Sequence, residues 1–260
     1  MGRGKESGST RSVERAISIL DCFTSARSHL NLTEIVQETG LSKATAFRLL
    51  KTLEARNYVA YDHEVGKYRL GPRLLYLGNV AMNSTVVRRV ALPVMRELRE
   101  TSGETVTLFI RQGVWKICVE KVESPHEVRF TAEVGRVLPI HAGASGKVLL
   151  AGLDPEQFNA VIAEAGLPRI TPNTITSPDV LRREVAEVAA RGYAISRDER
   201  EIGAAAVGAP VRDHDGKICA SLNISGPSSR FTDERVQQFI GMVMEAADKV
   251  SMGMGYVTRR

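Results

Sequence analysis

Residues 32–59, LTEIVQETGLSKATAFRLLKTLEARNYV, hold the pattern that decides the fold of the N-terminal region. Leu32, Ile35 and Val36 fall on one side of a short helix that stops at Gly40. Glycine readily takes the left-handed conformation that closes a helix. Ser42 follows as an N-cap, its hydroxyl able to accept a bond from a free backbone N–H. Beyond it Ala46, Leu49, Leu50 and Leu53 recur at helical spacing. Two helices joined by a glycine-bearing turn of about four residues make a helix-turn-helix. The other side of the second helix carries Lys43, Ala44, Thr45, Arg48, Lys51 and Thr52, and meets no acid before Glu54.

The flanks extend this unit. Upstream, SVERAISILDCF (12–23) places Val13, Ala16, Ile17, Leu20 and Phe23 at helical spacing behind Ser12 as a cap. Downstream, Tyr58–Tyr61 and Lys67–Leu70 read as two short strands around DHEVG, whose Gly66 permits a tight turn. They form a wing, with Lys67 and Arg69 placed to touch a phosphate backbone. Cations and hydroxyls near the start of the second helix suit DNA, because that end enters the major groove. The helix's first amides suit a phosphate. Arg48 can reach guanine O6 and N7, while Ser42, Thr45 and Lys51 suit phosphates or base edges. A plain three-helix domain that binds another protein is the competing reading.

Charge supports the first reading. The 260 residues carry 35 Lys and Arg against 30 Asp and Glu, a net of +5. Residues 1–71 hold 11 basic and 8 acidic side chains, and the remaining 189 hold 24 and 22. More than half of the excess therefore lies in little more than a quarter of the chain. The mild total excludes a histone-like tail, and 43% hydrophobic content excludes wholesale disorder. No apolar run approaches the roughly 18 residues of a membrane span. MGRGKESGSTRS has no apolar segment of the kind a secretory signal needs. Cys22, Cys118 and Cys219 are odd in number and far apart, which argues against a disulfide framework or a zinc knuckle. The expectation is a reduced, cytoplasmic, soluble protein.

Residues 72–102 are helical in pattern, with Pro93 as a kink or a fresh start. Leu74, Leu75, Leu77, Val80 and Ala81 exceed what a solvated linker needs. They suggest a dimer contact, with packing against the chain's own head equally open. Beyond Gly103 come strand candidates TVTLFIR (105–111), VWKICVEKV (114–122) and VRFTAEV (128–134). HAGASGKVLLAGL is a turn entering a helix. PEQFNAVIAEAG and SPDVLRREVAEVAARG are amphipathic helices, each ending at a glycine. YAIS, AAAVGAPVR and KICASLNIS are strands, the last two joined at DHDG, a hairpin signal. A final helix runs from about Asp233 to about Val250, capped by Thr232. The order implies an α+β domain, an antiparallel sheet covered by helices.

The strand at 218–225 is the informative one. Ile218, Ala220, Leu222 and Ile224 fall on one side, and Cys219, Ser221, Asn223 and Ser225 on the other. Small hydroxyl and amide groups suit a concave floor that hydrogen-bonds a small polar ligand. The neighbouring strand at 204–211 is rich in Ala and Gly, which leaves room above the sheet. A closely packed second layer, or a self-associating face, is the alternative.

Catalytic look-alikes fail on spacing. Counting five residues back from Gly146 gives His141 where a P-loop needs glycine, and Val148 stands where it needs Ser or Thr. The nucleophile elbow fails because Lys147 follows Ser145 by two. His29, His63, His126, His141 and His214 make no metal-ligand pair. No nucleophile and base pair emerges, so neither an enzyme nor a cofactor or metal is expected.

Together RSVERAISIL, LTEIVQETGLSKATAFRLLKTLEARNYV, KYRLG, LPIHAGASGKVLLA, RGYAISRDEREIGAAAVGAPV and LNISGP resemble the isocitrate lyase regulator (IclR) family of bacterial transcription factors, nearly end to end. The resemblance implies a winged helix-turn-helix over 12–71, a linker helix over 72–86 and a GAF-like effector-binding domain over 87–255, with tails at 1–11 and 256–260. It implies homodimers, often paired into tetramers, on palindromic double-stranded operator DNA, responding to a small-molecule effector. By position, effector contacts would come from Leu138, Ala144, Ser145, Ser196, Ala206, Asn223 and Ser225. Members often carry acids after the strand at 193–195, where this chain has Ser196 and Arg197, and a larger or more polar residue at Ala206. The implied pocket is thus roomier and less acidic, and an organic or aromatic acid is the expected effector. Two other functions are consistent with the residues: an enzyme for a small acid tethered to DNA, and a DNA-bound assembly protein without a ligand.

Overall fold

The computed structural model describes residues 10–24, 26–83, 86–130 and 132–257, with the backbone alone for 79–83. The expected tails, and the side chains of Val80 and Ala81, lie largely outside these residues. The chain divides into two compact units, the first ending at Ser84 and the second beginning at Thr85.

In the first unit α1 (Arg11–Asp21), α2 (Leu32–Thr39) and α3 (Lys43–Ala55) surround a core of Ile19, Cys22, Phe23, Leu30, Ile35, Leu50, Val59 and Tyr68. Asn31 and Glu34 form a reciprocal capping box at the start of α2. Gly40 ends that helix at φ +65°, and the Ser42 hydroxyl accepts from Thr45 N–H at the start of α3. The stripe of α1 differs from the sequence expectation. Ile19 is fully buried, whereas Val13 and Ile17 are more than half exposed. The helix starts at Arg11, with Thr10 preceding it and no side-chain cap. The wing is a three-stranded sheet. β2 (Val59–Asp62) and β3 (Lys67–Leu70) pair around Gly66, and β1 (His29–Leu30) adds to the other edge of β3. Two residues are too few to read as a strand from periodicity, so β1 shows only in the fold. Helix α4 (Pro72–Asn83) follows.

The second unit opens with α5 (Val86–Ser102), which runs through Pro93 as one helix. Its sheet has six antiparallel strands. These are β4 (Thr105–Gln112), β5 (Trp115–Val122), β6 (Val137–Pro139), β7 (Ala194–Arg197), β8 (Ala204–Arg212) and β9 (Ile218–Pro227). Their order is β6-β5-β4-β9-β8-β7. One face packs Val106, Leu108, Val207, Leu222 and Ile224 against α5 and α9 (Asp233–Gly253). The other face lies beneath α6 (Ala144–Leu150), α7 (Pro155–Ala165) and α8 (Pro178–Arg191). The described residues of the expected strand at 128–134 form irregular chain ending in a turn, and the third strand of this meander is β6. The Phe130 carbonyl accepts from the Thr105 hydroxyl at 2.9 Å instead of joining a ladder. Among the described residues, no helix is long and apolar enough to cross a membrane.

Candidate functional site

The outer face of α3 presents Lys43, Ala44, Arg48, Lys51 and Thr52 exposed, with Thr45 half-buried. Local bonds order part of it. Ser42 donates to the Thr45 hydroxyl at 2.9 Å, and Lys51 bridges to Glu54 at 2.8 Å. Lys43 and Arg48 form no ion pair with another described residue, so their charge is free for a polyanion. Phe47 stands 45% exposed on the same face. The sequence reading passed over it, although an apolar group there suits a thymine methyl. On the wing Arg69 is exposed, but Lys67 is half-buried and 4.0 Å from Glu34 of α2.

The second site is a cleft of about 480 Å³, open mouth included, above the helix-covered face of the sheet. Strand register builds its floor. Ser196 of β7 lies opposite Ala206 of β8, Ala206 opposite Ser225 of β9, and Ser225 opposite Thr105 of β4. One row further, Gly208 is opposite Asn223, and Asn223 opposite Thr107. Cross-strand partners share a face, so the polar side chains converge. Six of the seven expected contacts, Ala144, Ser145, Ser196, Ala206, Asn223 and Ser225, line this cleft. Leu138 does not. It pairs across from Lys116 but packs among Phe109, Cys118 and Ile140 in the apolar layer beneath α7 and α8. The polar face of β9 also begins later than alternation suggests. A bulge opposite Val211 and Arg212 turns Cys219 into the α5–α9 core, while Ile218 packs on the other side.

Sequence reasoning missed Lys116. Its side chain is 1% exposed. Its ammonium donates to the Ala142 carbonyl and, at 2.9 Å, to the Ser145 hydroxyl. It sits 5.5 Å from the centre of the Phe109 ring. Burial, aided by the Arg200 charge, pushes it down to about 7. Arg200 also lines the cleft, its guanidinium 4.7 Å over the Phe130 ring and held below its ordinary range by burial and by Arg136. Glu201 lines the cleft as well. Asn223 is committed internally: its amide donates to the Thr107 and Ser221 carbonyls and accepts from the Ser221 hydroxyl. The thiols of Cys118 and Cys219 are pushed up to about 11 by burial, which leaves them unreactive near neutral pH. Among the described residues, no three His, Cys, Asp or Glu side chains cluster to hold a metal ion.

A helix-turn-helix with an open cationic helix, carried in one chain with a domain that encloses a polar cleft, defines a DNA-binding transcriptional regulator with a ligand-binding domain. Residues 12–63 match the IclR helix-turn-helix domain, and residues 79–252 match the C-terminal domain of the bacterial transcriptional regulator IclR. The chain belongs to the IclR family. It is 35% identical over 246 residues to the HTH-type transcriptional regulator XynR of Escherichia coli (strain K12), covering 95% of this chain and 98% of that protein. It is 32% identical over 250 residues to the transcriptional repressor IclR of the same strain, covering 95% and 91%. The crystal structure of an IclR homolog complexed with 4-hydroxybenzoate from Microbacterium hydrocarbonoxydans superposes with a TM-score of 0.80 at 27% identity, covering 94% of this chain and 98% of that one. The relatives bear the names of regulators and repressors, and this chain is a transcriptional regulator of that family.

Proposed function

We propose that this regulator is switched by a small organic or aromatic acid that enters the cleft above β4, β9, β8 and β7. Ser42, Lys43, Ala44, Thr45, Arg48, Lys51 and Thr52 of α3 and its cap read the operator, with Arg69 on the adjoining backbone. In the cleft, Ala144, Ser145, Ser196, Ala206, Asn223 and Ser225 surround the effector. The observation that carries the reading is a polar floor with a buried cation, Lys116, under apolar walls. Such a site suits a ligand with one charged end and a hydrocarbon body. The relative crystallised with 4-hydroxybenzoate supports that ligand class.

The protein acts as a homodimer, or a pair of dimers, on a palindromic operator in the cytoplasm. Exposed Leu75 and Tyr76 on α4 support a contact with a second copy. The functional parts are a reader over 12–71, a linker over 72–86 and a sensor over 87–255.

The test has two stages. Operator sequences are selected from random duplexes with purified protein, and thermal melts are run against a panel of carboxylic acids. A true effector at 100 times its Kd adds about 2.7 kcal/mol of stability and changes operator affinity. If no acid that stabilises the protein alters operator binding, the switch reading fails.

A further inference from the structure

We propose that Lys116 sets the charge of the effector, its ammonium holding one carboxylate of a monocarboxylic acid at the inner end of the cleft beside Ser145. The proposal rests on reading the cleft as the effector site. A fully buried ammonium is costly unless an opposite charge compensates it. Among the described residues, no carboxylate lies within ion-pair distance of Lys116, whose bonds go to a carbonyl and a hydroxyl. An ammonium has three donors, so one remains for an anion. The acid whose charge acts on it, Glu199, is already engaged. Glu199 takes Lys147 at 2.6 Å and the Gly143 N–H at 3.0 Å.

The surroundings define the rest of the ligand. Gly143 borders the ammonium, where a Cβ would stand 3.5 Å from Nζ, and Gly146 lets the Ile140 carbonyl pack against the start of α6. The Ser196 hydroxyl, 6% exposed, makes no hydrogen bond with another described residue and lines the same cleft. Phe109, Phe130 and Ala204–Ala206 supply apolar walls. Glu201 and Arg200 line the cleft together, so Lys116 is the cation that faces the ligand beside Ser145.

Binding is linked to pH through the same amine. The charged groups around it are Arg200 and Glu199 from the β7–β8 loop and Lys147 from α6, with His141 in the turn before α6. Because burial brings Lys116 down to about 7, an anion that needs its proton binds more weakly as pH rises past that value.

The probes are benzoate and its uncharged isostere benzamide, titrated by calorimetry into the full chain and into K116M and K116Q. Met and Gln both remove the buried charge, so either variant that folds serves. In the wild type benzoate binds about ten- to hundred-fold more tightly than benzamide, as expected of a hydrogen bond to a charged group. In the variants that ratio falls to near one. Wild-type benzoate affinity declines by about fifteen-fold from pH 7 to pH 8.5, and the variants show no such decline. A ratio preserved in both variants overturns the proposal. Equal binding of benzoate and benzamide to the wild type also overturns it while leaving the cleft a ligand site. Binding of neither probe removes the effector reading for this ligand class along with the proposal.

Discussion

Lys147 Nζ stands 2.6 Å from Glu199 Oε1, with both side chains buried. The second carboxylate oxygen of Glu199 accepts from the Gly143 N–H, and its backbone carbonyl accepts from the hydroxyls of Thr171 and Thr174. One residue thus ties the start of α6 to the β7–β8 loop, the two segments that bring Ser145 and Arg200 to the cleft. Removing one partner of a buried pair leaves an uncompensated charge. Glu199→Ala should lower unfolding stability by about 3–5 kcal/mol, read from urea denaturation. Glu184, 3.5 Å from Lys147, tempers the loss. The double variant K147M/E199L should recover most of it. A single variant as stable as the wild type would show that the pair contributes nothing.

Gly208 leaves the space that Asn223 occupies. A Cβ at position 208 would overlap Asn223 Oδ1, with the Asn223 Cγ at 3.2 Å. The φ of Gly208 is ordinary, so the constraint is steric and not conformational. Gly208→Ala should therefore cost about 1–3 kcal/mol through overpacking. It should also displace the Asn223 amide from the Thr107 and Ser221 carbonyls. Thermal melts give the first effect, and amide resonances of Thr107 and Asn223 give the second. An undisturbed Asn223 resonance would contradict the steric account.

The polar floor was legible because a strand has a period of two. Ser221, Asn223 and Ser225 alternate with Ala220, Leu222 and Ile224, and the structure buries both sets. Lys116 was not legible for the same reason. In β5 it alternates with Trp115, and that pattern suggests an inward tryptophan and an outward lysine. The strand lies next to the sheet edge, where α6 and its turn cover the lysine side. Trp115 is 45% exposed and Lys116 is 1%. The stretch at 128–134 has strand-like alternation, but among its described residues the Phe130 carbonyl accepts from the Thr105 hydroxyl and the Val128 carbonyl from Arg230. Ser196 and Ala206 entered through family resemblance. Only the register of three paired strands explains why they meet Ser225.

Arg48 and Lys43 should fail differently when truncated. Arg48 is exposed on the second turn of α3 and Lys43 at its start; in the proposed docking the first meets base edges and the second a phosphate. Arg48→Ala should weaken binding to the selected operator by about 1–3 kcal/mol and relax its preference over random duplex. Lys43→Ala should weaken both DNAs alike and reduce the salt slope by about one. Fluorescence anisotropy at several salt concentrations separates the two. Undiminished discrimination in R48A would remove Arg48 from base readout.

The buried amine also makes a prediction for the protein without ligand. An unfolded lysine titrates at its ordinary 10.5, and burial brings Lys116 down to about 7 in the folded chain. Below pH 7 both states hold the proton, and the full penalty of the buried charge is present. Between pH 7 and 10.5 the unfolded state holds a proton that the folded state has lost, so this group makes stability rise with pH. The slope is about 1.4 kcal/mol per unit. The buried thiols of Cys118 and Cys219 titrate higher in the folded state and act in the opposite direction above pH 9. The informative quantity is therefore the difference between the wild type and K116M. K116M should be the more stable protein at pH 6.5, and its advantage should shrink steadily as pH rises toward 9. Urea melts of the two proteins at matched pH measure that difference. A gap that does not change with pH would mean that Lys116 keeps its proton throughout, and that water or an unseen anion already compensates it.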